Sequence, residues 1–359
     1  MDFLPGAHDF WVCFMFDSRH RLMGEDNMLK ILRLGHYALK VADIERSGRF
    51  YREILGLHEH ERGPRGEAYF QRGPDHHCLV LYPADAKDPD DPGFPDGPIL
   101  HHTAWEVASE TELEKARRIL EGEGIEILAG PKTHPGPGRH TYLRFQDPFG
   151  VPYELFCGME QAVETAAEKP FQPQRLGHVG LGTKDLDGSV KFATEVLGFR
   201  ISDWVRGVLC FVRCNEDHHA LTFVQSGVHN LHHAGYETGD FEGIKRFADH
   251  ASANNVFLEW GPGRRPPGET LFAYVRDPDG NIVGTFAELV RIEDEERRQV
   301  QVLDPGPRSV DRWGSAPPGE DFLRGPGWSF QAKPRRTGGA EAPLGPAPDP
   351  PALIDGSGE

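Results

Sequence analysis

His140-Thr-Tyr-Leu-Arg-Phe-Gln-Asp147-Pro-Phe-Gly150-Val-Pro-Tyr-Glu154-Leu-Phe156 reads as two strands joined by a tight turn. Pro at the second turn position presets φ, and Gly at the fourth closes a sharp reversal. The second strand carries one carboxylate, Glu154, among apolar neighbours. The device returns as Leu271-Phe-Ala-Tyr274-Val-Arg-Asp277-Pro-Asp-Gly280-Asn-Ile-Val-Gly284-Thr-Phe286. Seven residues after the turn Asp, the first copy has Glu154 and the second has Gly284. The functional reading turns on that difference.

Working outward, the repetition covers most of the chain. Arg33-Leu-Gly-His36 recurs as Arg175-Leu-Gly-His178, and Asp75-His-His77 as Asp217-His-His219. His101-His-Thr-Ala-Trp-Glu106 recurs as His232-His-Ala-Gly-Tyr-Glu237, and Gly136-Pro-Gly-Arg-His140 as Gly261-Pro-Gly-Arg-Arg265. Within each copy the pattern is strand, helix, then strands. Arg33 to Val41 alternates as a half-buried strand does. Asp43 is placed to cap a helix that stops near Gly56. Ala68–Gln71 and Cys78–Tyr82 are strand candidates, and a proline- and aspartate-rich stretch over 83–99 is an exposed loop. A second helix opens on the capping-box spacing Ser109 to Glu112, with Leu113, Ala116, Ile119 and Leu120 inward. The expectation is an α+β fold of four βαβββ units, two per domain.

The boundaries expected are an extension over 1–27, a first domain over 28–160, a linker over 161–172 and a second domain over 173–292. A docking tail over 293–331 and a disordered, low-complexity tail over 332–359 follow. Residues 1–27 do not share the later patterning, so Met28 is read as the functional start.

Composition excludes some partners. With 39 Lys and Arg against 56 Asp and Glu, the formal charge is −17, which disfavours nucleic acid and anionic membranes. No stretch reaches the roughly 18 apolar residues of a membrane helix. Cys13, Cys78, Cys157, Cys210 and Cys214 form no zinc-type pair and make a poor disulfide framework, so a reducing cytoplasm is expected.

These repeats resemble the vicinal oxygen chelate superfamily, and within it the two-domain extradiol (catechol 2,3-type) ring-cleavage dioxygenases. The resemblance spans about residues 30–325, including the Trp313-Gly-x-x-x-Pro tail motif. It implies two histidines and a glutamate holding Fe(II), or alternatively Mn(II). Carried over, the first domain offers His36, His102 and Glu154. The second offers His178 and His233 but Gly284 in the glutamate's place. The resemblance implies acid/base roles for His219, fourteen residues before His233, and for its first-domain counterpart His77. It also implies catalytic roles for His140, which aligns with Arg265, and for Tyr274, which aligns with Arg144. Arg144 is expected either to bind an anionic substrate group or to pair with a local acid. Strand parity turns His101 and His232 away from the ligand face.

A facial two-His-one-carboxylate set leaves adjacent metal positions for a chelating catechol and for O2. The expectation is therefore ring cleavage of a catechol-type aromatic in the first domain, although the family convention places the working site in the second. A homo-oligomer is implied by the same resemblance. The alternatives are an aromatic-sequestering protein on the same scaffold, or another metal-dependent reaction such as isomerisation or epimerisation.

Overall fold

The computed structural model describes residues 28–87, 90, 97–162, 169–315 and 317–330. The expected extension over 1–27, the tail over 332–359 and part of the expected linker lie outside the described residues. The fold is α+β, with two mixed sheets, as the repeats imply.

The first sheet is built from β1 (Ile31–Val41), β2 (His58–Arg62), β3 (Ala68–Gln71), β4 (Leu79–Pro83), β5 (Ile99–Val107), β6 (Ile127–Thr133), β7 (Thr141–Gln146) and β8 (Pro152–Cys157). Helix α1 (Ile44–Glu53) follows β1, and α2 (Glu110–Gly122) follows β5. Spatial order is β2-β3-β4-β1-β5-β8-β7-β6. The first strand of each unit thus lies at the centre, β1 antiparallel to β5, with β4 and β8 parallel to them on either side.

The second sheet repeats this plan with β9 (Arg175–Thr183), β10 (Arg200–Val205), β11 (Leu209–Arg213), β12 (Leu221–Gln225), β13 (Asn230–Glu237), β14 (Trp260–Arg264), β15 (Leu271–Arg276) and β16 (Ile282–Ala287). Its helices are α3 (Leu186–Lys191), continued by a π-helical turn over Phe192–Val196, and α4 (Phe241–Ala253). A ninth strand, β17 (Gln301–Leu303), adds to the β10 edge.

Each helix start is fixed by a short polar side chain. Asp43 accepts from the amides of Glu45 and Arg46 at 3.0 Å, and Ser109 from that of Glu112 at 3.4 Å. Asp185 and Asp240 cap α3 and α4 in the same way. Such caps contribute about 1 kcal/mol each.

Alternation along the central strands sorts side chains to two faces. On β1, Tyr37, Leu39 and Val41 enter a hydrophobic core that runs without a break through both domains, and His36 and Ala38 face the other way. At the join, Tyr236 Oη donates to Tyr37 Oη at 3.3 Å, and Trp105 meets Phe199 edge-on with centroids 5.0 Å apart. The two Asp-Pro-x-Gly turns also dock across it. Tyr51 on α1 donates to Asp277 Oδ2 at 2.9 Å, while Phe149 stacks on His229 at 5.1 Å. Gly150 and Gly280 have φ of 86° and 85°, which explains glycine at the fourth turn position.

Candidate metal centre

Strand register assembles the site. His36 on β1 pairs with Ala104 on β5, Ala104 with Glu154 on β8, and Glu154 with Arg144 on β7. One row across four strands therefore reads His36, Ala104, Glu154, Arg144, all on one face, and His102 stands on that face two residues before Ala104. The β1–β5 register shifts between Leu34 and His36, an irregularity of the kind that re-aims a side chain. Gly35 has a packing reason: a Cβ there would lie 2.2 Å from the Phe156 ring, which supports His36 from 5.5 Å.

The donors converge. His36 Nε2 and His102 Nε2 are 3.1 Å apart, and each lies 3.7 Å from an oxygen of Glu154. Two nitrogens held ~2.1 Å from one ion at a right angle would stand ~3.0 Å apart. All three side chains are buried. Burial drives both imidazoles well below their ordinary pKa, with Glu154 only partly opposing it, so both are neutral. Burial pushes the Glu154 carboxyl up, but the Arg144 guanidinium and the hydrogen bond with His140 outweigh it and hold it well below the usual carboxylate range. Two neutral imidazoles and one anionic oxygen are the donor set of a divalent first-row metal, so the residues present fit the ion the sequence implies.

Around this set, Arg144 donates to Glu154 Oε2 through Nε at 3.2 Å and through NH2 at 2.7 Å. Of the two expectations for Arg144, the structure thus displays pairing with a local acid. Oε1 points toward His36 and lies 3.3 Å from His140 Nε2. His140 Nδ1 bonds the Gly138 carbonyl at 2.6 Å, which fixes its ring. His77 is buried, with its ring centroid 4.4 Å from that of His36 and its Nδ1 3.1 Å from His76 Nδ1. Burial first, then His36 and His140, holds His77 well below its ordinary pKa.

Sequence reasoning missed His134, which stacks on His140 with centroids 4.7 Å apart. No repeat pointed to it. His101 does turn from the ligand face, as strand parity required, and stacks on Tyr82 at 4.5 Å.

The equivalent row of the second domain reads His178, Gly235, Gly284, Tyr274. Nothing takes the carboxylate's place. A Cβ on Gly284 would lie 2.3 Å from the Ala273 carbonyl oxygen and 2.6 Å from the Tyr274 ring. His219 and Tyr274 stand here, beside His178 at 4.7 Å and His233 at 5.4 Å between centroids. They therefore belong to a separate cluster from His77 and His140. Glu288 is drawn off to the surface by Arg264. Among the described residues, the groups of three His, Cys or carboxylate side chains whose donor atoms all lie within 4.8 Å are His36-His102-Glu154 and the surface group His60-Glu61-His76. Neither lies in the second sheet. The second domain instead holds a cavity of about 180 Å³ lined by aromatic side chains.

Comparison with known proteins finds relatives over most of the chain. A manganese-dependent 2,3-dihydroxybiphenyl 1,2-dioxygenase of Geobacillus genomosp. 3 is 25% identical over 274 residues, covering 69% of this chain and 82% of the relative. An iron-dependent extradiol dioxygenase of Rhodococcus jostii is 25% identical over 289 residues, covering 74% and 92%. Among solved structures, a Mn(II)-bound glyoxalase from Novosphingobium aromaticivorans superposes with a TM-score of 0.75 at 26% identity, covering 84% of this chain and 96% of that one. A family model matches residues 33–155 and 175–284, once per sheet. The chain therefore belongs to the Glyoxalase/Bleomycin resistance protein/Dioxygenase superfamily.

Proposed function

We propose that this chain is an extradiol ring-cleavage dioxygenase whose working centre is in the first domain, built from His36, His102 and Glu154. The observation that carries the location is the 3.1 Å approach of two neutral imidazole nitrogens beside an ionised, buried carboxylate. The relatives named as iron- and manganese-dependent dioxygenases support Fe(II), with Mn(II) as the alternative. Bound there, the metal would offer adjacent positions to a catechol-type substrate and to O2 and would pass charge between them.

The protein's own part is proton handling and charge. His77 has Nδ1 engaged with His76, so Nε2 is the nitrogen that takes a phenol proton and later returns it. Its lowered pKa keeps it neutral and ready to accept. His140, 3.3 Å from Glu154 Oε1, is the second donor next to the reacting oxygens. Arg144 holds Glu154 Oε2, so Oε1, which faces His36, is the oxygen that would be offered to a metal. No helix of the described residues is long and apolar enough to cross a membrane. Unpaired thiols at Cys78, Cys157, Cys210 and Cys214 support a reducing, cytoplasmic setting, and the superfamily resemblance supports a homo-oligomer.

Iron content and oxygen consumption with a catechol panel, measured on anaerobically prepared variants, test the location. Glu154→Ala should abolish both, while His233→Ala should spare most of each. Activity that survives Glu154→Ala and vanishes with His233→Ala would move the centre to the second domain.

A further inference from the structure

The cavity of the second domain holds a buried arginine with no carboxylate beside it among the described residues. Arg265 is 9% exposed and lines the cavity wall. Its guanidinium lies over the rings of Phe272 at 4.8 Å, Trp260 at 4.9 Å and Tyr274 at 5.8 Å, and NH2 donates to Tyr274 Oη at 3.3 Å. Among the described residues no carboxylate lies within 4.0 Å of it. Arg144, the buried arginine of the other domain, has Glu154. Burying a cation without a counter-ion is unfavourable, and ring faces offset only part of that cost. The remaining guanidinium donors call for an anion.

The rest of the cavity describes that anion. The walls carry Phe211, Phe286 and Phe322, and the volume of about 180 Å³ suits a single ring rather than a fused system. Three residues lining it have a buried polar atom without a hydrogen-bond partner among the described residues: Thr222 Oγ1, His178 Nδ1 and Trp260 Nε1. Pro318, Phe322 and Leu323 come from the segment after the sheet and close the cavity over. Guanidinium offers a planar fork matched to the two oxygens of a carboxylate.

We propose that the second domain, without a metal, binds a small single-ring aromatic carboxylate, with Arg265 clamping the carboxylate and the surrounding rings enclosing the arene. The site is separate from the metal centre and stands whether or not that centre cleaves catechols. Gly284 where the first domain has Glu154, and Arg265 where it has His140, then belong together: one sheet is suited to hold a cation through an anion, the other an anion through a cation.

Calorimetric titration of the full-length, metal-loaded protein with benzoate, and with benzamide as the neutral isostere, tests this. Wild type should bind benzoate once per chain and at least tenfold more tightly than benzamide. Arg265→Gln should reduce benzoate to the level of benzamide and leave benzamide unchanged. Leu209→Trp, which fills the cavity without touching the guanidinium, should abolish both, and Glu154→Ala should leave benzoate binding intact. Equal affinity for the two probes in wild type would mean that the rings alone satisfy Arg265, and the proposal fails. It fails equally if benzoate binding survives Arg265→Gln or Leu209→Trp, or is lost with Glu154→Ala, since the probe would then be on the metal or elsewhere.

Discussion

At the scale of single residues, the Arg144–Glu154 pair sets the energetics of the first centre. Both side chains are 1% exposed, so each depends on the other for neutralisation. Removing one partner of such a pair typically costs about 3–5 kcal/mol because the other charge remains buried. Arg144→Met should lower stability by that order in metal-free protein, and added Mn(II) should recover most of it, because Glu154 then faces another cation. Urea unfolding with EDTA and with Mn(II) measures the two values. Equal losses in both conditions would show that Arg144 serves the fold alone.

At the scale of elements, the repeated Asp-Pro-x-Gly turn is a buried acid held by backbone amides. Asp147 Oδ1 accepts from the amides of Phe149 and Val151, and Asp277 Oδ1 from those of Asp279 and Asn281, all at 2.8–2.9 Å. Burial pushes Asp147 up to about 7 and Asp277 up to about 6, against the lowering effect of those bonds. Both folded values lie above the ordinary carboxylate value. The folded chain therefore binds more protons than the unfolded chain between about pH 4 and pH 7. The stability they contribute is complete below about pH 4 and is lost as pH rises through 6 and 7. Asp147→Asn keeps an accepting oxygen and should flatten its share of that decline, as read from denaturation midpoints at pH 4.5 and 7.5. An unchanged slope would place the carboxylate's ionisation elsewhere.

These same turns show how far the sequence could be read. Turn chemistry, strand alternation and five ordered landmarks carry the duplication, because each depends on local backbone preferences. Strand β2, His-Glu-His-Glu-Arg62, carries no apolar alternation and is half exposed, and β6 contains Gly130-Pro131, so neither announces itself. The candidate set of His36, His102 and Glu154 came from the family resemblance, helped by two histidines that recur at fixed places in the repeats and a glutamate that does not. Two other facts needed register. That Arg144 sits opposite Glu154 follows from β7–β8 pairing, and that Gly35 makes room for Phe156 follows from packing across strands. That Arg265 has no carboxylate beside it among the described residues depends on how several strands pack together, which no local pattern encodes.

At the scale of the whole molecule, the two sheets share one core but divide their inner faces. The segment after β17 is hydrogen-bonded to the second sheet. Asp311 Oδ1 accepts from the Arg264 amide at 3.1 Å, and Asn230 Nδ2 donates to the carbonyls of Arg324 at 3.3 Å and Pro326 at 3.0 Å. Phe322, 2% exposed, joins Trp260, Phe272 and Tyr274. Phe322→Ala removes a buried ring and should cost about 3–5 kcal/mol. It should leave metal content unchanged, since the first centre draws nothing from this segment. Thermal unfolding and metal analysis of the same sample separate the effects, and a parallel loss of metal would tie the two sites together.

The glycine at 284 also limits what a single exchange of side chain can do in the second domain. The room a ligand's Cβ would need is already taken by the Ala273 backbone oxygen and the Tyr274 ring. A glutamate placed here alone would press on a strand backbone and a buried ring, in a cavity that Arg265 also lines. Its neighbours would have to move with it, so the two sheets, alike in plan, cannot be made alike in chemistry by one substitution.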